Sequence, residues 1–363
     1  MRRTAFGGFL LKLMLAVAFL LSSDVVSAAD TGQKDAAAVA AENKDTQVQR
    51  QQNQPYNNAP IWREVRSGEE NFTTVRGVET GVLVQSGGET WRALRNGPVT
   101  VYGGLLLVVI AAIIGLFHWL HGSIKLHEKP AGRKIKRFTD WERLVHWSTA
   151  ISFVILAVSG LIILFGKHVI LPIFGYTLFS WLAILSKNLH NFVGPLFIFC
   201  VLVMFVTYVK DNLWKSYDFK WFNNAGGMLG GEHIPSGKFN AGEKTWFWIG
   251  LLLLSIVVGA TGLVLDFPNF GQGRGTMQLV NVVHAVTSII YVALALGHIY
   301  MGTVGVEGAY DSMRIREGDG SVDEAWAKEH HEHWYNEVKN QGKVAGGAPS
   351  TATASPMKEG WKT

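Results

Sequence analysis

The chain is almost free of cysteine: Cys200 is the only one in 363 residues. No internal disulfide can form, no C-x-x-C-H segment is present to attach haem covalently, and no cysteine set can hold an iron–sulfur cluster. Any iron–sulfur chemistry must come from a partner. Charge is also sparse, at 17% Asp, Glu, Lys and Arg, and it is missing altogether from stretches such as 105–115. With 48% hydrophobic residues gathered in such runs, the chain reads as a membrane protein rather than a soluble domain with a large core. The formal net charge of +5 lies mostly in loops beside those runs, where membrane topology accounts for it without nucleic acid. No inverted repeat and no pair of broken helices with polar centres is visible, which argues against a transporter.

Residues 1–29 read as an export signal, with Arg2 and Arg3, an apolar run from Phe9 to Leu21 and small residues at Ser27, Ala28 and Ala29. Residues 30–98 form a segment on the outer side of the membrane. Its first half is rich in Ala, Gln and Asn and is expected to be disordered. Its second half, with Trp62, Phe72, Val82, Trp91 and Leu94, suits packing on a partner subunit. An additional span is expected at 99–120, then a basic loop at 121–143, a core of four spans within 144–303 and a tail at 304–363. The core spans fall near 144–165, 189–209, 246–266 and 279–303, each helical because lipid offers no partner to an open backbone. Residues 322–339 suit a polar amphipathic helix, and 341–363 read as disordered.

Lys125, Lys129, Arg133, Lys134, Lys136, Arg137 and Arg143 crowd one loop, and Lys210, Lys215, Lys220, Lys238 and Lys244 the next but one. The alternate loops hold only Lys167, Lys187 and Arg274. That bias puts the basic loops and the C-terminal tail in the cytoplasm, and the N-terminal segment in the periplasm.

Four histidines then acquire depths. His146 and His298 lie near the cytoplasmic face, and His190 and His284 near the periplasmic face. An ionisable group inside a span is costly and marks a function. His284 and His298 are separated by about four helical turns, roughly 21 Å of rise, so both face one side of one helix. The pattern points to two bis-histidine b haems, one on His146 and His298 and one on His190 and His284, held between facing helices. Zinc is disfavoured, since each pair lacks further ligands. Gly160, Gly194, Gly259, Gly262 and Gly297 would admit a flat cofactor or simply let helices approach. Arg143 could pair a propionate or anchor the cytoplasmic face. His118, His121, His127, His168, His233, His330, His331 and His333 read as interfacial or solvated.

From about 133 to 340 the chain resembles the gamma subunit of bacterial formate dehydrogenases, the membrane cytochrome b of that complex. The resemblance rests on Arg143-Leu-Val-His146-Trp147, Leu189-His190-Asn-Phe-Val-Gly194, Gly231-Glu232-His233, Lys238-Phe-Asn-Ala-Gly-Glu-Lys244, His284, His298-Ile-Tyr-Met301 and His330-His331-Glu-His-Trp334-Tyr335. It implies an all-α membrane fold, a four-helix bundle with two b haems on the four histidines, extended here by the N-terminal span. It further implies an iron–sulfur beta subunit and a molybdenum or tungsten alpha subunit that oxidises formate. It places the chain in the bacterial inner membrane, with a quinone site at Asn240, Gly242, Glu243 and His298. Some members have Gln where this chain has Glu243, a carboxylate able to relay a proton or to stand as a solvated loop charge. A hydrogenase or thiosulfate-reductase cytochrome b would share the histidine pattern with another electron donor.

Overall fold

A computed structural model of the chain describes residues 59–67, 71–72, 82–84, 87–224, 226, 234–315 and 318–342. The expected signal at 1–29, most of the N-terminal segment, the 231–233 motif and the tail from 343 onward lie outside the described residues.

The chain divides into two units, 1–89 and 90–363. The first holds α1 (Ala59–Ser67) and a small antiparallel pair, β1 (Asn71–Phe72) with β2 (Val82–Val84). The boundary falls within α2 (Gly87–Leu94), which passes through a π-helical stretch, Arg95–Val99, into α3 (Thr100–His121). Pro98 sits in that stretch and has no N–H to give, so the wider turn costs the ladder little there.

Next come β3 (Lys134–Lys136) and the long α4 (Asp140–Tyr208). Thr139 starts α4 with a capping box: its hydroxyl accepts from the Glu142 N–H, and the Glu142 carboxylate accepts from the Thr139 N–H. Its 69 residues would make a rod of roughly 100 Å, several times the hydrocarbon thickness. Gly175 breaks it, at φ 77° and ψ 176°, a conformation only glycine adopts without strain. The arms on either side, 140–174 and 176–208, run antiparallel. Their register is fixed by Tyr208 Oη donating to the Glu142 carbonyl at 2.8 Å, Thr149 Oγ1 on the Cys200 carbonyl at 3.4 Å, and Ser159 Oγ against His190 Nδ1 at 2.9 Å.

The remaining elements are α5 (Ser216–Asn223), α6 (Ala241–Thr245), a π-helical stretch Trp246–Leu254, α7 (Ser255–Asp266), α8 (Arg274–Tyr300), β4 (Ser321–Asp323), α9 (Glu324–His330) and α10 (Glu332–Asn340). Among the described residues, four helical runs are long and apolar enough to cross a membrane: Gly87–His121, Asp140–Asn212, Ala241–Asp266 and Arg274–Gly305. The second contains two of the expected spans. The connection expected between them, 166–188, is helical except at Gly175, because its apolar residues carry the helix on beyond the thickness of the hydrocarbon.

α8 packs on α7 and on α3, and α4 packs on α7. Between helices in lipid the driving force is close packing rather than exclusion of water. The buried cluster fits that: Val145, Phe197, Val201, Phe247, Leu251 and Tyr291 interlock, with the Phe153 and Tyr291 rings 4.7 Å apart.

At the end of the bundle that carries His146 and His298, the segment before α4 meets the tail that follows α8. β3 pairs antiparallel with β4, Ile135 opposite Val322. Above them Trp326, Ala327, Trp334 and Tyr335 bury a second cluster. The tail is therefore a strand and two short helices folded onto the basic loop, and not the single polar helix expected. The expectation that His331 is solvated is also overturned: it is 1% exposed, enclosed by Trp326 and Trp334.

Candidate functional site

The site is built on α8, which carries His284 and His298. His284 faces His190 of the second arm of α4, ring centres 6.1 Å apart and planes at 78°. Each ring is held from behind in the same way. Ser159 Oγ lies 2.9 Å from His190 Nδ1, and its own proton goes to the Leu156 carbonyl. Thr261 Oγ1 lies 3.0 Å from His284 Nδ1, and its proton goes to the Val257 carbonyl. A hydroxyl whose proton is spent accepts, so both imidazoles carry hydrogen on Nδ1 and keep the Nε2 lone pair. That is how an orienting partner prepares a histidine for a metal.

The residue after each hydroxyl is glycine. A Cβ on Gly160 would come within 3.3 Å of His190 Cε1, and one on Gly262 within 3.3 Å of His284 Cε1. The glycines clear space for the rings. With about 2 Å from a metal to an imidazole nitrogen, two rings sharing one metal stand about 6 Å apart centre to centre, which the observed spacing matches. No group of three or more His, Cys, Asp or Glu placed to hold a metal occurs among the described residues. Two nitrogens without further protein ligands suit a metal whose other positions are filled by a macrocycle.

At the other end His146, on the first arm of α4, and His298 are near enough for one ring to feel a charge on the other. His146 Nδ1 is buried and has no hydrogen-bond partner among the described residues, which native interiors seldom allow. His298 lies flat against Trp246, ring centres 4.7 Å apart at 11°. Both rings fit the same kind of group as the first pair.

The 240–243 segment reaches this end from α6. Asn240 caps α6, its Oδ1 accepting from the Glu243 N–H at 2.9 Å, while Glu243 Oε2 accepts from the Asn240 N–H at 2.8 Å. Glu243 also takes two hydrogen bonds from Arg137 Nη2, at 2.9 and 3.2 Å, and its charge reaches His298. It is therefore a paired carboxylate rather than a free loop charge, with its side chain 35% exposed. Arg137 is itself buried, donates to the Lys238 carbonyl at 2.7 Å, and lies 5.1 Å from the Trp326 ring centre. Lys244, next to Glu243, forms a buried ion pair with Asp218 of α5 at 2.7 Å. Gly242 abuts Trp221 of α5: a Cβ there would lie 2.8 Å from the ring.

His331 closes this network from the tail. Its Nδ1–H donates to the Gly237 carbonyl at 2.7 Å. Burial, then the Arg137 charge, pushes it down to about 3, with Glu243 opposing. The unfolded segment takes up a proton near 6.5 that the folded cap refuses down to about 3. The stability it contributes is complete above pH 6.5 and drains away below, by about 2 kcal/mol at pH 5. Protease cleavage within 318–342 should therefore accelerate between pH 7.5 and pH 5, and His331→Asn should flatten that dependence; equal cleavage at both values in the parent would count against it.

Several of these residues escaped the sequence reading. Ser159 and Thr261 did, although Ser159-Gly160-Leu161 and Thr261-Gly262-Leu263 repeat one pattern on two helices. Arg137, Trp246 and the Asp218–Lys244 pair had no signal beyond their charge or ring. Arg143, left between propionate and anchor, donates to the Arg314 carbonyl at 2.6 Å and ties the chain after α8 to the start of α4. Among the other histidines, His118 meets the Tyr300 hydroxyl and His127 pairs with Glu329.

The chain is similar in sequence to known proteins over the same region. The family profile described as prokaryotic cytochrome b561 matches residues 137–314. The cytochrome b556(fdo) subunit of formate dehydrogenase from Escherichia coli (strain K12) is 30% identical over 214 residues, covering 56% of this chain and 93% of that protein. The nitrate-inducible cytochrome b556(Fdn) subunit of the same strain is 32% identical over 210 residues, 54% of this chain and 88% of that protein. The cytochrome b556 subunit of formate dehydrogenase from Haemophilus influenzae is 26% identical over 216 residues, 56% and 83%.

Proposed function

From its membership of the formate dehydrogenase cytochrome b556 subunit family, to which this chain belongs, we propose that it carries electrons across the bacterial inner membrane, from a periplasmic iron–sulfur subunit to quinone on the cytoplasmic side. Formate oxidation belongs to a separate molybdenum or tungsten subunit. The observation that carries this reading is the pair His190 and His284, both oriented by a spent hydroxyl so that Nε2 is free, with ring centres 6.1 Å apart.

His190 and His284 hold the periplasmic b haem, and His146 and His298 the cytoplasmic one. The haems supply one-electron iron chemistry when bound. The chain's own residues set the conditions. Ser159 and Thr261 fix tautomer and ring direction, the aromatic core excludes water, and Trp246 holds the His298 plane. Asn240, Gly242, Glu243 and His298 make the quinone site, which takes its protons from the cytoplasm.

Glu243 in this site is a capping and pairing carboxylate. Gln also completes a capping box at this position, and its amide oxygen can still accept from Arg137. Glu243→Gln should therefore keep quinone turnover within an order of magnitude of the parent, measured by formate–quinone activity. A collapse of turnover would assign it a proton relay instead.

Membranes carrying the complex test the whole reading. Formate should reduce b-type bands that quinone then reoxidises. Reduction by dithionite but not by formate would keep the cytochrome and replace the electron donor with that of a hydrogenase or thiosulfate-reductase type. Absence of b bands would remove the haem assignment.

A further inference from the structure

The connection after the second arm of α4 is unlike a water-facing loop. Asn212 ends the short turn that follows the arm, its backbone carbonyl accepting from Trp248 Nε1 at 2.9 Å. Within a few residues the chain exposes Leu213, Trp214, Phe219 and Phe222, with Phe219 67% accessible. On α5, Phe219 and Phe222 are three residues apart and share one face, and Lys215 caps the helix just before it. Lys210, Lys215 and Lys220 flank it, and their ammonium groups have no carboxylate partner among the described residues.

The opposite face of α5 is fully engaged. Asp218 grips Lys244 with both side chains almost wholly buried, and Trp221 packs against Gly242. Tyr217 stacks on His333 of the tail, ring centres 4.6 Å apart. One short helix thus turns two aromatic rings and Lys220 outward and holds two residues of the 240–244 segment inward.

We propose that α5 lies in the headgroup zone of the cytoplasmic leaflet, as a foot that inserts Trp214, Phe219 and Phe222 and pairs its lysines with anionic lipid. Two observations select lipid over a soluble partner. Only three residues separate the helix from the end of a membrane-crossing run, so its outer face continues the lipid-facing surface. Its composition, aromatic rings edged by lysine, is that of interfacial helices, which combine apolar insertion with attraction to anionic headgroups. The inner contacts then make the position of Gly242 and Lys244 depend on that footing. This last step rests on the quinone site proposed above: a lipid-soluble substrate would enter beside a helix that the lipid itself positions.

Depth is the direct test. Phe219→Cys in the full complex is labelled with a nitroxide and reconstituted in phosphatidylcholine vesicles with and without phosphatidylglycerol; Cys200 is buried, and the unsubstituted complex gives the background. Lys339→Cys on α10 serves as the water-exposed reference. The label at 219 should be relaxed far more by oxygen than by a water-soluble nickel chelate, and deeper with phosphatidylglycerol present. Accessibility to the chelate equal to that at 339 overturns the proposal, as does shielding from both relaxants, which would mean that a protein covers this face. In a second variant, Phe219→Ser with Phe222→Ser, KM for quinone should rise several-fold while formate still reduces the haems to the parental extent. An unchanged KM refutes the coupling. If formate fails to reduce haem in the parent, the proposed function falls while the depth result stands.

Discussion

His298→Ala is expected to leave a protein with a single b haem that formate still reduces but that no longer delivers electrons to quinone. The reasoning is local. His298 and His146 lie on different helices, and the described residues around His298 offer no replacement ligand: Trp246 lies flat on the His298 ring and Glu243 is committed to Arg137 and the α6 cap. Met301 follows His298 by less than one helical turn and cannot reach across to oppose it. The second pair is independent, because His190 and His284 are oriented by Ser159 and Thr261, far along the helices. Haem content per protein should fall by half, with formate-reducible b absorption retained and quinone turnover lost. His284→Ala should give the complementary result, a haem that dithionite reduces and formate does not. Retention of both haems in His298→Ala would sink the assigned pairing.

The largest expected change in stability is that of Lys244→Met. It strands Asp218, 1% exposed, with one oxygen accepting from the Lys215 N–H at 2.7 Å and the other without a partner. Breaking a buried pair by removing one member costs about 3–5 kcal/mol, while replacing both by apolar residues of similar size is often neutral. Thermal unfolding of the purified complex, followed by haem absorbance, should show a marked fall for Lys244→Met. Much of it should return in the double variant with Asp218→Leu. A single variant as stable as the parent, or a double variant no better than the single, would show that the pair is not the clasp between α5 and α6.

Much of this architecture can be read from the chain alone, for a physical reason. Histidines in apolar runs are expensive, so their positions carry information, and His284 and His298 fall on one side of a helix by simple periodicity. The facing of His190 and His284 follows from span direction, which the lysines and arginines set. What remained hidden depends on partners far apart in sequence. Nothing local marks Arg137 as the residue that pairs with Glu243, since burial of a cation is decided by what later folds over it. The tail reads as a polar helix because its charges dominate the pattern, yet Trp326, Trp334 and Tyr335 find a surface on β3 that no local window contains. Gly175 was concealed differently. A lone glycine in an apolar stretch gives little reason to expect that helix continues right up to it on both sides.

The pairing of β3 with β4 also sets an order of assembly. Residues 134–136 leave the ribosome before most of the bundle, and their partners at 321–323 emerge only after every membrane-crossing run has been made. A contact of such sequence separation is slow to form and cannot be rehearsed earlier. Until it closes, Arg137 lacks the Trp326 ring beside it and the Gly237 carbonyl lacks His331. Both groups hold the segment that positions Glu243. The end of the bundle that holds His146 and His298 thus stays open throughout synthesis and is sealed last. A chain interrupted just after α8 would possess the four described membrane-crossing runs with His146, His190, His284 and His298 and would still lack the contacts that seal this end.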